Sequence, residues 1–495
     1  MKLKASITYA LILALIIGFR AEIYAQNAFP RIEPDAKALN YYRLGTQGYS
    51  WSDLAEIALW ASGDASLSGM AKIKTVVSSL NSAITPNLSD KEKADFILNY
   101  MHNNILKSYY LYQTRLDTIF TNGRFNCVSS AVLYVILCKS AGINTSGVMT
   151  KDHAFAIVHI NGQNFDVETT NPYGFDPGNR KEFHDSSGKT TGFAYVPPQN
   201  YRDRQTISQI ELVSLIFSNR IGDFERSGNF AAAVPLAVDR TALLLGNSYT
   251  KTSDKLVSDF LFADPRKELI DRLINYGAAL LRSNKEDDGI RWAVLASSLY
   301  PDPSRWQEFS LAAINNKLSK LIKDKNIQDA RKFLESQKSL LSQTDYNQFD
   351  SLIFDADLLN KTNSFKTAAE GNDILSAIDQ ARTSGKIPEK RAAELLNYTI
   401  QKIASYLCAP PDKDWRAAIR YLEGAIAKYG TNRELDQAIR TYKANLVADY
   451  HNRFAAEWNK KNFTEAERIL KEGLAEFPND KQLLADKQNI DKQPR

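Results

Sequence analysis

Cysteine and histidine are scarce in this sequence. Three cysteines, Cys127, Cys138 and Cys408, and five histidines are spread over 495 residues. So few cysteines, odd in number and without a CxxC pair, argue against a disulfide framework. The histidines fall at no spacing that would hold a zinc ion, so neither a metal nor another cofactor is expected. An excess of charge is lacking too. The 62 Lys and Arg nearly balance 57 Asp and Glu, for a formal net charge of +5. No basic block stands out, which argues against a nucleic-acid partner. Beyond residues 1–25 there is no apolar run long enough to cross a membrane. Residues 1–25 themselves read as a secretory signal peptide. Lys2 and Lys4 precede an apolar run from Ala5 to Phe19, and Ile23-Tyr24-Ala25 makes a cleavage end. Cleavage would leave a secreted or periplasmic protein. An uncleaved N-terminal anchor is the lesser alternative. Composition is otherwise that of a soluble globular protein, 44% hydrophobic and 24% charged.

What is present concentrates between Gly123 and Thr170. Cys127 stands immediately ahead of a run of helix formers, Val128 to Ala141, that stops at Gly142. A helix N-terminus favours negative charge, and with it the thiolate, the nucleophilic form of a cysteine. Asn126 reads as the cap of that helix. Two strands follow, joined by Asn161-Gly162, a strong hairpin signal. His153 opens the first strand, and Asp166 and Glu168 lie on the second. A two-residue turn pairs Ile160 with Gln163, and the ladder then sets Ile157 opposite Asp166. By the same count Phe155 faces Glu168 and His153 faces Thr170. His153, Asp166 and Glu168 thus share one sheet face, with Glu168 the diagonal neighbour of His153. Asp166 lies one pair further away and would need a bulge to reach it. The set supplies a nucleophile, a base and an orienting acid: Cys127, His153 and Glu168, with Asp166 as the alternative acid.

These residues resemble the transglutaminase-like (papain-like) cysteine enzymes. The matching pieces are Cys127, Ala131, Gly142-Ile143, His153-Ala154-Phe155 and Val167-Glu168-Thr169-Thr170. Two positions depart from the family pattern. Phe125-Asn126-Cys127 stands where Gly-x-Cys is usual, and Glu168-Thr169-Thr170 where Asp-Pro-Thr is usual. The resemblance implies a catalytic triad whose cysteine attacks an amide carbonyl and passes through a thioester. Water or a second amine then resolves it. One oxyanion donor would be the Cys127 N–H. Tyr110, Tyr112 and Asn126 are all open as the second. Cys138, among Leu133, Ile136 and Leu137, reads as a buried apolar residue. His159 reads as a surface residue, and nothing pairs His184 with an acid or a second ligand.

Around this stretch the reading is coarser. Residues 26–48 are mixed and Pro-containing and read as a partly extended lead-in. Helical spacing marks Trp51 to Trp60 and Leu67 to Ile84, and Ser89 to Glu92 forms a capping box. The turn-rich tract from Asn171 to Pro198 is either a rim over the cleft or a surface loop. From Thr206 onward apolar periodicity is helical to the end of the chain. Ala444 to Asp480 resembles a tetratricopeptide repeat, and Trp415 to Tyr429 resembles part of another. Such arrays bind protein partners or buttress a neighbouring domain.

The expectation is therefore an α+β chain. A signal peptide over 1–25 precedes a papain/transglutaminase-like domain over 30–205, a cysteine helix packed on an antiparallel sheet. An all-α tetratricopeptide-like region over 206–495 follows. The expected function is a cysteine peptidase or acyltransferase acting on amide bonds of a protein or peptide substrate, hydrolysis before crosslinking. The alternative is an inactive domain of this type in a helical-repeat binding scaffold.

Overall fold

The structure, a computed structural model, describes residues 29–64, 67–186, 204–250, 264–409 and 414–492. The expected signal peptide and the later half of the turn-rich tract, with Tyr195 to Pro198, lie outside them. The described chain is mostly helical, with one small antiparallel sheet. It divides into two compact units, Met1–Ala313 and Ile314–Arg495.

In the first unit, helices α1 (Ala36–Gly45), α2 (Trp51–Ser62), α3 (Met70–Ala83) and α4 (Asp90–Asn104) come first. The lead-in, expected to be partly extended, carries helix α1, which Asp35 caps. Ser50 and Ser89 open α2 and α4 with capping boxes. Strand β1 (Ser108–Tyr109), helix α5 (Leu116–Asn122) and strand β2 (Arg124–Phe125) follow. Strands β1 and β2 form a short parallel pair. Then come α6 (Cys127–Ser140), β3 (Asn144–Met149), β4 (Ala154–Ile160), β5 (Gln163–Val167), α7 (Lys181–Ser186) and β6 (Gln205–Ile207). Strand order in the sheet is β5-β4-β3-β6, each pair antiparallel.

Every residue of α6 from Cys127 to Cys138 is buried. A helix that is apolar all round needs cover all round. It packs on β3 and β4, against α2 and α4, and against α8 (Gln209–Arg226). Helix α8 buries Leu212, Val213, Ile216 and Phe217, and Gly147 lets it approach the sheet. A Cβ on Gly147 would lie 2.9 Å from the Ile207 and Leu212 side chains. Helices α9 (Phe230–Leu245), α10 (Pro265–Arg282) and α11 (Glu286–Leu299) stack on in sequence order. The last strand ends at Ile207 and helix begins at Gln209, both inside the first compact unit. Helix α8 is a wall of the sheet domain, sharing its core.

The unit division falls within α12 (Pro303–Lys323). The second unit contains α13 (Ile327–Ser336), α14 (Gln343–Ser364), α15 (Ala368–Thr383), α16 (Glu389–Leu407), α17 (Trp415–Tyr429), α18 (Arg433–Asn459), α19 (Phe463–Glu476) and α20 (Lys481–Asp491). Neighbours in sequence pack on each other. Two apolar clusters run through it, one around Ile378, Ile403 and Leu422, the other around Tyr450, Leu470 and Leu483. No strand occurs after β6 among the described residues.

A Cys–His–Glu cleft as the candidate functional site

Asn126 positions the cysteine. Its Oδ1 accepts from the Ser129 N–H at 2.9 Å, and the Ser129 Oγ accepts from the Asn126 N–H at 2.9 Å. This capping box fixes where α6 begins and leaves Cys127 at its first position. The N–H groups of that first turn have no intrahelical acceptor.

The hairpin positions the other two residues. Asn161 and Gly162 both have positive φ, +50° and +77°, the conformation a two-residue turn of this kind requires. The register is Ile160 with Gln163, Ile157 with Asp166 and Ala156 with Val167. The ladder ends there, short of the Phe155–Glu168 and His153–Thr170 pairs expected from the sequence. Beyond Val167 the chain turns back on itself. Val167 bridges to Phe175, the Glu168 N–H donates to the Gly174 carbonyl at 2.8 Å, and the Asp176 N–H donates to the Asp166 carbonyl at 2.9 Å. Residues 174–176 therefore clasp the outer edge of β5. None of the described residues between Asn171 and Ser186 lines the cleft.

His153 and Glu168 meet. Nε2 of His153 lies 2.6 Å from Oε2 of Glu168, and both side chains are almost wholly buried. The other carboxylate oxygen, Oε1, accepts from the Thr170 hydroxyl at 2.6 Å and the Thr170 N–H at 3.2 Å. Burial alone would raise the Glu168 pKa. His153 and the two Thr170 donors outweigh it and hold the carboxyl below its ordinary value. For His153 burial works downward, but the Glu168 carboxylate and a hydrogen bond with the Cys127 side chain carry the imidazole well above its ordinary value. Glu168 is thus an anion, and Nε2 carries the hydrogen it donates. Nδ1 is left for the Cys127 thiol.

Asp166 is engaged elsewhere. Its carboxylate accepts two hydrogen bonds from the Arg204 guanidinium, one at 2.7 Å, and both side chains are largely buried. No bulge moves it toward His153. Of the two acids left open by the sequence, Glu168 is the one on the imidazole.

The remaining expected residues fall as follows. Cys138 is fully buried, and burial pushes its thiol pKa up. Cys408 is buried at the end of α16, its Sγ 3.3 Å from the Ala404 carbonyl. His159 sits between Ser146 and Asn164, and His184 is exposed. Among the described residues no group of three His, Cys, Asp or Glu side chains could hold a metal ion.

Four contributors were not singled out by the sequence reading. Thr170 anchors the acid, and its place two residues beyond Glu168 is a local signal that could have been read. Arg204 lies 38 positions from Asp166 and gives no such signal. His102, on α4, is held neutral because burial lowers its pKa to about 4. Its Nε2–H donates to the Thr169 carbonyl at 3.1 Å. Thr169 is also tied to the cysteine helix through Ser130, with 2.8 Å between the hydroxyl oxygens. Tyr109 packs edge-on against Phe125, two residues before Cys127. Its buried hydroxyl has no hydrogen-bond partner among the described residues. Burial first, then the nearness of Cys127 and Glu168, keep that hydroxyl protonated.

Cys127 and His153 line a cleft of about 520 Å³. On one side stand Leu111 and Tyr112. Leu215, Asn219 and Arg226 of α8 and Arg240 of α9 also line it. Helices α8 and α9 therefore line the cleft.

No protein-family model matches this chain, and no curated protein matches it.

Proposed function

We propose that the cleft is the active centre of a transglutaminase-like cysteine enzyme acting on amide bonds of proteins or peptides. The observation that carries this is the shared imidazole. One ring nitrogen of buried His153 is held by an anionic Glu168, and Cys127 at a helix N-terminus bears on the same ring. An adjacent acid that raises a histidine's basicity is what a thiol nucleophile needs.

The steps follow from the atoms present. At rest the thiol's proton already sits on Nδ1 of His153, giving thiolate and imidazolium, and Glu168 stabilises the imidazolium through Nε2–H. The thiolate attacks the carbonyl carbon, and the oxygen's new charge meets the Cys127 N–H at the helix start. Tyr109, with its unpartnered hydroxyl, is the candidate for a second donor. Nδ1–H returns its proton to the departing amine as the C–N bond breaks, leaving a thioester. Water, deprotonated by His153, then attacks the thioester, and the acid product leaves as the thiol is restored. Hydrolysis is the outcome we favour, because an open cleft admits water. An amine in place of water would give crosslinking.

A synthetic activated ester tests this directly. p-Nitrophenyl acetate should release nitrophenolate and leave an acetyl group on Cys127, seen as a mass gain of one acetyl on that peptide. His153→Ala should abolish both signals. Acetylation absent from Cys127, or unaffected by His153→Ala, would favour an inactive domain serving the helical units as a scaffold.

Residues 1–25 are read as a leader to the periplasm or the exterior, from their basic start, apolar run and cleavage end. The paired helices of the second unit are read as tetratricopeptide-like and as a surface for a protein partner.

A further inference from the structure

We infer that the turn Tyr110 to Gln113 is a substrate-gripping lip that selects a peptide with a large apolar or aromatic side chain beside the reacting carbonyl. This rests on the cysteine-enzyme reading of the cleft.

The turn carries the wrong residues for a turn. The Gln113 N–H closes it on the Tyr110 carbonyl at 2.8 Å, which puts Leu111 and Tyr112 at its two central positions. Such exposed positions ordinarily hold Gly, Pro, Asn, Asp or Ser. Here three consecutive large side chains face solvent, Tyr110 at 52%, Leu111 at 48% and Tyr112 at 56% exposure. None of the three belongs to the buried core. Both central residues line the cleft that holds Cys127 and His153.

The lip is also held rigidly to the nucleophile. The Asn126 side-chain amide donates to the Leu111 carbonyl at 3.1 Å, and the Ser129 hydroxyl donates to the Gln113 carbonyl at 3.0 Å. The same two residues form the capping box that sets Cys127 at the head of its helix. One pair of side chains therefore fixes both the nucleophile and the turn, and the distance between them is set before any substrate arrives. Backbone fixed and side chains bare is the arrangement that binds an apolar group without an ordering cost. The Tyr112 face is further capped by the Arg226 guanidinium from α8, 5.0 Å from the ring centroid, so the lip reaches the helical side of the cleft. A peptide bound through its carbonyl at Cys127 would lay the neighbouring side chain against Leu111 and Tyr112.

The test uses the full-length protein and two chloromethyl ketones that differ only in that side chain, acetyl-Phe and acetyl-Gly. The thiolate displaces chloride, so a carbon–sulfur bond forms as the carbon–chlorine bond breaks. In wild type the Phe reagent should label Cys127 at least about tenfold faster than the Gly reagent, the discrimination an apolar subsite gives. In the double variant Leu111→Ser, Tyr112→Ser the ratio should fall to within about twofold of unity as that apolar contact is lost. Iodoacetamide, which has no side chain to recognise, reports on the thiol of each protein separately. A wild-type ratio near one, or a ratio preserved in the double variant, overturns the lip. Failure of iodoacetamide to label Cys127 would instead overturn the cysteine-enzyme reading, and the lip with it.

Discussion

Asp166 and Glu168 differ by one methylene and sit two residues apart, yet their partners divide them. Glu168 holds His153, and Asp166 is held by Arg204. Their substitutions should separate accordingly. Glu168→Gln should slow thiol-directed labelling of Cys127 by about a hundredfold or more, the scale on which general acid–base groups act. Asp166→Asn should leave that rate within about threefold, but lower stability by about 3 kcal/mol because it leaves a largely buried guanidinium unpaired. Chemical denaturation beside labelling rates checks both. The charge state of His153 gives a pH prediction. Its pKa is raised in the folded protein, so its pairing stabilises the fold fully below the unfolded value of 6.5 and is lost as pH rises through the folded value. Glu168 is lowered, so its share is full above 4.5 and is lost as pH falls through its folded value. The pair is therefore intact from 4.5 to 6.5 and persists above neutrality until His153 loses its proton. A proton-NMR titration should find the His153 ring charged at pH 7 in wild type. In Glu168→Gln the burial that works downward would prevail, and the ring should be neutral at the same pH.

At the scale of elements, the site depends on two backbone geometries. Gly174 has no room for a side chain: a Cβ there would lie 2.0 Å from the Glu168 carbonyl oxygen. Gly174→Ala should therefore push the end of β5 away from β4 and draw Glu168 off His153. Loss of Cys127 labelling with the helical circular dichroism retained would show it. The hairpin was legible in the sequence because a two-residue Asn-Gly turn allows a single register, and the observed pairing of Ile157 with Asp166 is that register. Asn126 was legible as a cap for the same local reason. What local pattern could not supply was the return of residues 174–176 along β5, which ends the ladder before Glu168, or the Arg204 that claims Asp166. Both are contacts across sequence gaps, and nothing in the intervening residues announces them. The lead-in helix α1 was missed because its apolar face is slight, with only Ala38 and Tyr41 buried.

At the scale of the molecule, the change from strands to helices near Thr206 was readable, but a compact unit is set by packing. Helix α8 covers α2, α6 and β3, so the site and the first helices beyond 206 share one core. A fragment ending at residue 205 would expose the apolar surface that Leu212, Val213, Ile216 and Phe217 now cover, and it should be insoluble. A fragment extended through the end of α12 should fold and keep a reactive Cys127, checked by circular dichroism and labelling. The central claim is that Cys127 is a nucleophile made reactive by His153 and Glu168, and native-state alkylation tests it most directly. Intact protein is treated with iodoacetamide at pH 7, and the rate at each cysteine is read by peptide mass spectrometry. The account predicts rapid modification of Cys127 alone, with Cys138 and Cys408 protected, and a rate at Cys127 that collapses in His153→Ala. Labelling of Cys127 no faster than of Cys138, or a rate untouched by His153→Ala, would contradict it.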